Sequence, residues 1–431
     1  MNAQEAAAAG TDESGVVLVT IIFVLSYLAL AIGWIPGLRI DRAGIALVGA
    51  AAMLATGSME FHDAMTQTDW STIITLMALM VIVAQLTQSG LTTRVATKII
   101  PNKLGPRVTL LLAMASCALT SALITNDVAI LAFIPILIQR INARGLHPIP
   151  FLLGCTFAAN IGSASTIIGN PQNMIVAGAL DVSFAKHIAW SILPVLTALV
   201  MTWGFIIVFG EKLQNPVHVP HEGEPAFQES THRTRSAPTQ FHPIAATLGV
   251  VALVAVIILF VLPISRPVSV LCIAAIILLN RVYSTDAILG RVDWSLLTLV
   301  ISLGIVVNCF NTTGLPTEMV GRLGAYGVDL ESGWQLAVAV TVLGNLVNNI
   351  PAVLLLMKVV PANMPEAGVI LGVASTFAGN FIVIGSLANM IMVREARKHG
   401  IVISFWRHAR MGIPVTLLSL GILVVWILLV G

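Results

Sequence analysis

Residues 107–140 read RVTLLLAMASCALTSALITNDVAILAFIPILIQR. Two apolar arms flank the polar triplet Thr125-Asn126-Asp127. About 20 apolar residues suffice for a helix to cross a bilayer. An Asn-Asp pair halfway along such a run is costly in hydrocarbon and marks a turn or a polar cavity. Each arm is expected to be too short to cross alone, so the stretch dips in and returns on the same side. Residues 333–361, GWQLAVAVTVLGNLVNNIPAVLLLMKVVP, show the same pattern around Asn348-Asn349.

The rest of the 431 residues suit this setting. Apolar residues make up 57% of the chain and charged residues 10%, whereas a soluble domain carries about 25% charged residues. The expectation is an all-α polytopic membrane protein. Spans are placed near 16–35, 43–57, 70–88, 150–180, 187–209, 243–262, 267–281, 294–311, 366–396 and 409–430. With ten crossings, two re-entrant hairpins and both termini outside, 18 Lys and Arg residues fall on the cytoplasmic side and 4 on the other. That bias fits the positive-inside rule, and it falls if either hairpin crosses fully, because later loops then swap sides. The chain is therefore placed in the cell's inner (plasma) membrane with both termini extracytoplasmic.

Residues 1–15, MNAQEAAAAGTDESG, read as an acidic, Ala-rich extracytoplasmic tail rather than a signal peptide, which needs a basic start. Residues 211–242 form the one long polar stretch and read as a cytoplasmic linker. His218 and His221 lie in it, but its composition is that of solvated chain rather than a metal site. Cys117, Cys155, Cys272 and Cys309 read as small core residues without zinc spacing. The nine histidines are placed outside the spans, and no P-loop motif GxxxxGK[ST] occurs. No enzyme, cofactor or nucleic-acid role is implied.

The chain repeats itself. Asp69-Trp70-Ser71 and Gly90-Leu91 recur 224 residues on as Asp293-Trp294-Ser295 and Gly314-Leu315, and Arg42 recurs as Arg266. Thr125-Asn126-Asp127-Val128 is aligned with Val347-Asn348-Asn349-Ile350, and Phe157-Ala158-Ala159-Asn160 with Phe377-Ala378-Gly379-Asn380. Gly169-Asn170-Pro171-Gln172-Asn173 is aligned with Gly385-Ser386-Leu387-Ala388-Asn389. The domains are thus a first transporter repeat over 16–210 and a second over 243–431. Five crossings per repeat, an odd number, make the second copy inverted.

A break such as Gly169-Asn170-Pro171 frees backbone groups that only a polar cavity can satisfy. Half-helices starting there aim positive dipole ends at that cavity. The expected substrate-binding set is Thr125, Asn126, Asn160, Gly169, Asn170, Asn173, Asn348, Asn349, Gly385, Ser386 and Asn389. Amides offer both donors and acceptors, which suits an anion or an oxygen-rich neutral solute. Asp127 is the one carboxylate at expected mid-membrane depth. It can carry a proton, help to hold Na⁺, or simply cap the hairpin tip.

Thr125-Asn126-Asp127, Gly169-Asn170-Pro171-Gln172-Asn173, Val347-Asn348-Asn349-Ile350-Pro351 and Ile384-Gly385-Ser386-Leu387-Ala388-Asn389 resemble the ion transporter superfamily. Within it the chain most resembles the arsenical pump membrane protein (ArsB) family. P-protein-like anion transporters and NhaD-type antiporters are neighbouring clades. The resemblance implies efflux of arsenite or antimonite in exchange for H⁺, with elevator-like movement of the hairpins. As the one deep carboxylate, at a hairpin tip, Asp127 is the expected proton-coupling residue. A Na⁺- or H⁺-coupled carrier of another anion, or a Na⁺/H⁺ antiporter, is the alternative. The partners implied are a small inorganic solute, H⁺ or Na⁺, the lipid bilayer and, as an option, a soluble ATPase subunit.

Overall fold

The computed structural model describes residues 13–33, 35, 37–99, 104–213, 241–262, 264–279, 281–360 and 364–430. Most of the tail expected over 1–15, and 214–240 of the expected linker, lie outside the described residues. The described chain is helical, with no strand. The helices up to residue 209 are α1 (Glu13–Ile32), α2 (Arg42–Ala55), α3 (Phe61–Thr66), α4 (Trp70–Gln88), α5 (Leu91–Ile99), α6 (Pro106–Ile124), α7 (Asn126–Ala143), α8 (Pro148–Ser163), α9 (Pro171–Ala179) and α10 (Phe184–Phe209). From residue 243 follow α11 (Pro243–Val261), α12 (Arg266–Leu278), α13 (Thr285–Leu289), α14 (Trp294–Asn311), α15 (Leu315–Ala325), α16 (Gly333–Val347), α17 (Asn349–Leu356), α18 (Ala367–Ala378), a 3₁₀ turn (Val383–Gly385), α19 (Leu387–Lys398) and α20 (Phe405–Val430).

The helix starts follow from local chemistry. Asp69 and Asp293 each accept the backbone N–H three residues on, at 3.0 and 2.9 Å, satisfying a donor that a helix start leaves orphaned. The indoles of Trp70 and Trp294 each donate back to the carbonyl five residues earlier, at 2.9 and 3.1 Å. Proline stands in the first turn of α6, α8, α9, α11, α12 and α15, where its missing N–H costs nothing. The short helices α3, α5, α13 and α15 were not among the expected elements.

Among the described residues eight helices are long and apolar enough to cross a membrane, α6 and α7 included. This corrects the expectation that each arm of the first hairpin is too short. At 1.5 Å per residue the arms are roughly 27–29 Å long. The pair is a hairpin because its open ends are tied together. The Arg144 guanidinium donates to Thr109 Oγ1 at 2.9 Å and to the Leu104 carbonyl. The second hairpin has arms of 15 and 8 residues. Two further expectations are corrected. His187 and His408 sit buried within α10 and α20, not outside the helices. Cys272 is exposed, while the other three cysteines are buried.

Every residue of α8 and α18 is buried, so these two helices form the centre of the molecule. Rows of exposed Leu and Val on α1, α10, α11 and α20 face outward, including Leu25, Leu193, Val251 and Leu428. Apolar surface on that scale suits acyl chains rather than water. α6 packs along α8 as α16 does along α18, and α2 along α14 as α12 does along α4. α7 packs on α19 and α17 on α9, while α10 packs on α20. Some contacts lack counterparts, those of α5 with α6 and α7 among them. α4 packs on α9, α14 on α17 and α1 on α16, but the matching pairs α14–α19, α4–α7 and α11–α6 touch marginally at most.

Candidate functional site

Four interruptions of helical backbone converge at the centre. At the first hairpin tip Thr125 has φ 84° and ψ 147°, and at the second Asn348 has φ 83° and ψ 156°. Such dihedrals cost a residue with a side chain of order 1–3 kcal/mol, so their recurrence marks equivalent points. The equivalence corrects the expected alignment by one residue. Thr125 matches Asn348 and Asn126 matches Asn349, which leaves Asp127 opposite Ile350. Backbone conformation, not asparagine identity, sets the register.

The other two interruptions follow α8 and α18. Asn173 Nδ2 donates to the carbonyls of Ser163 (3.2 Å) and Thr166 (2.9 Å). Asn389 Nδ2 donates to those of Gly379 (2.7 Å) and Ile382 (3.0 Å), each 216 residues further on. These amides satisfy carbonyls that the broken helices release. Gly169 is required by close approach, since a Cβ there would meet the Ser163 carbonyl oxygen at 2.1 Å. Its own carbonyl accepts the Asn126 N–H at 3.1 Å, fastening hairpin tip to break.

Asn160, 1% exposed, is the hub. Its Oδ1 accepts from Asn126 Nδ2 (2.9 Å) and Ser386 Oγ (3.1 Å). Its Nδ2 donates to Oδ1 of Asn380 (2.8 Å) and of Asn389 (3.2 Å). Both lone pairs and both hydrogens of the amide are used. One side chain thereby binds elements of both halves.

The two broken helices end differently. Asn170 Oδ1 caps α9 by accepting the Asn173 N–H at 2.8 Å, and its Nδ2 donates to Thr376 Oγ1 at 2.9 Å. Ser386 makes no side-chain cap on α19, because its hydroxyl is turned to Asn160. Asp127 stands beside the start of α19, with its carboxylate toward the Ala388 N–H. A carboxylate there also complements the positive end of the helix dipole.

A cavity of about 530 Å³ opens onto these groups. Of the expected residues, Asn126, Asp127, Asn348, Asn349, Gly385 and Ser386 line it. Thr125, Asn160, Gly169, Asn170, Asn173 and Asn389 do not; they stand behind and hold the breaks in shape. Asn349 Oδ1 is buried without a hydrogen-bond partner among the described residues.

The far wall carries residues that had appeared only as repeat markers or not at all. Asp41 and Asp293 line it while capping α2 and α14. Arg42 lines it too and forms no ion pair among the described residues. Its repeat counterpart Arg266 pairs with Asp181 at 3.5 Å. The 224-residue recurrence of Asp-Trp-Ser and of the arginine was the signal that could have found these positions. Among the described residues no group of three or more His, Cys, Asp or Glu side chains is placed to hold a metal.

Residues 27–378 match the family model described as CitMHS, citrate transporter. An uncharacterized transporter of Mycobacterium tuberculosis is 28% identical over 440 residues, covering 96% of this chain and 97% of that protein. The silicon efflux transporter LSI3 of Oryza sativa subsp. japonica is 25% identical over 468 residues, covering 94% and 96%. A putative transporter arsB of Dictyostelium discoideum is 29% identical over 204 residues, covering 46% and 35%. The fold is similar to the crystal structure of the Alcanivorax borkumensis YdaH transporter, with a TM-score of 0.53 at 15% identity over 96% of this chain and 97% of that one. With the helix pattern and the converging breaks, these matches place the chain in the CitMHS family of membrane transporters, within the ion transporter superfamily.

Proposed function

We propose that this protein is a secondary transporter that exports a small, uncharged, hydroxyl-rich metalloid acid, arsenite or antimonite first, in exchange for protons across the inner membrane. The observation that carries the reading is the lining of the central cavity. Amides and hydroxyls from Asn126, Asn348, Asn349 and Ser386 surround one carboxylate, Asp127, beside a helix start whose N-cap residue makes no side-chain cap. A trihydroxide presents donors to Asp127 and acceptors to amide N–H groups. Two further carboxylates on the wall, Asp41 and Asp293, disfavour a multiply charged anion. The name of the rice relative, a silicon efflux transporter, supports efflux of this solute class.

Exchange requires solute and proton to compete for one site. Ionised, Asp127 accepts from the solute; protonated, it turns a donor toward solute hydroxyls and weakens their hold. The unmatched packing of α4 on α9, beside the open α14–α19 side, suits two inverted repeats caught with access from one face. Repetition of the α4–α9 contact by α14 and α19 would close the cavity and open the other side. Arg42 favours a second reading, a coupled carrier of another anion such as the family description names.

Everted vesicles separate the two. Wild-type vesicles accumulate arsenite when respiration acidifies their interior, without ATP and without a soluble ATPase subunit. Asp127→Asn vesicles do not. Citrate uptake in place of arsenite uptake establishes the second reading, and gradient-driven arsenite uptake by Asp127→Asn refutes the coupling role.

A further inference from the structure

A second cavity, of about 820 Å³, lies where the start of α8, the end of α10 and the start of α20 meet. It shares no residue with the central cavity. Its inner wall is apolar, formed by Leu153, Ile206 and Phe209 among others. Its mouth is cationic: Lys212, Arg407 and Arg410 face one carboxylate, Glu211.

That carboxylate is already spent. It accepts Nε and Nη2 of Arg407, each at 2.5 Å, and faces His147 Nε2 at 2.9 Å. Lys212 and Arg410 form no ion pair among the described residues. His147 lines the cavity, is 6% exposed, and has its Nδ1 buried with no hydrogen-bond partner among the described residues. With Nε2 carrying the proton toward Glu211, Nδ1 is an acceptor that lacks a donor. The site therefore asks for three things in one molecule: an anionic group for Lys212 and Arg410, a hydroxyl for Nδ1, and apolar chain along the inner wall.

The position selects the source. Phe209 and Trp406, 66% and 77% exposed, stand at the ends of two membrane-length helices, where aromatic side chains meet lipid headgroups. Basic pockets between spans at that level hold anionic headgroups. We propose that this cavity seats an anionic phospholipid with a hydroxyl-bearing headgroup, of the phosphatidylglycerol class. Its phosphate lies between Lys212 and Arg410, and its glycerol hydroxyl donates to His147 Nδ1.

The test uses the purified full-length protein in neutral detergent, with native mass spectrometry and thermal unfolding as readouts, so transport activity is not needed. Phosphatidylglycerol is expected to stay bound and to raise the unfolding temperature, whereas phosphatidylcholine does neither. Inorganic phosphate and glycerol phosphate should not compete, which separates a lipid from a free anion. Phosphatidylmethanol, a singly charged diester without the headgroup hydroxyl, should bind roughly fivefold more weakly, the worth of one neutral hydrogen bond. The double variant Lys212→Ala/Arg410→Ala changes two exposed side chains, should unfold like wild type without lipid, and should lose the phosphatidylglycerol effect. His147→Ala should abolish the preference over phosphatidylmethanol. Equal binding of phosphatidylglycerol and phosphatidylcholine, undiminished binding by the double variant, or displacement by free phosphate overturns the proposal.

Discussion

Asn160→Asp alters almost no volume, yet it should be among the most damaging single changes at the centre. The wild-type amide donates to Oδ1 of Asn380 and of Asn389, both fully buried. An ionised carboxylate keeps the bonds from Asn126 and Ser386 but turns acceptor against acceptor at the other two contacts. Each stranded buried acceptor costs about 1–3 kcal/mol, so the pair costs about 2–6 kcal/mol before the burial of a charge is counted. Asn160→Ala leaves four groups unpaired but also leaves a void with polar walls, which a water can enter. The aspartate should therefore be worse than the alanine. Thermal unfolding in detergent, followed by tryptophan fluorescence, reads the order directly. The aspartate variant should lose at least about 3 °C. A melting temperature within about 1 °C of wild type, or an aspartate variant more stable than the alanine variant, would refute the claim that Asn160 joins the two halves through a fully used amide.

Gly178 lies where α9 meets α4, and a Cβ there would fall 1.8 Å from Thr72 Oγ1. Gly178→Val should hold the two helices apart, so that a cysteine at Ser71 reacts faster with a membrane-impermeant maleimide; unchanged labelling counts against that contact as a closure point. Arg42→Gln should alter the KM for an uncharged solute by less than about threefold, whereas a loss beyond about tenfold identifies an anionic substrate. The Arg407 bond holds the Glu211 carboxyl below its ordinary range, and burial is the main cause that lowers His147. Both shifts favour the folded state above the unfolded pKa values and lose that advantage as pH falls through the folded ones. Melting temperature should therefore drop on acidification from about pH 7 to below about pH 4, and drop less in Glu211→Gln; parallel curves for the two proteins would exclude a stabilising role for the Glu211 carboxylate.

Much of this was legible in the sequence because a bilayer imposes strict local rules. Apolar runs give spans, and polar interruptions such as Thr125-Asn126-Asp127 and Asn348-Asn349 give breaks, since a lipid environment leaves unpaired backbone nowhere else to go. The recurrences 224 and 216 residues apart located matching caps and matching amides. Tertiary structure decided which of those amides face the cavity. Asn126 and Asn170 read alike as polar residues at breaks. Asn126 lines the cavity, while Asn170 is consumed by α9 and Thr376. Residue type cannot separate the two cases, because an amide holding a backbone in place and an amide holding a solute need the same donors and acceptors. The far wall likewise depended on the fold. Asp41, Arg42 and Asp293 lie more than 80 residues from Asp127 in the chain, and only the packing of α2 against α14 and of α7 against α19 brings them to one cavity.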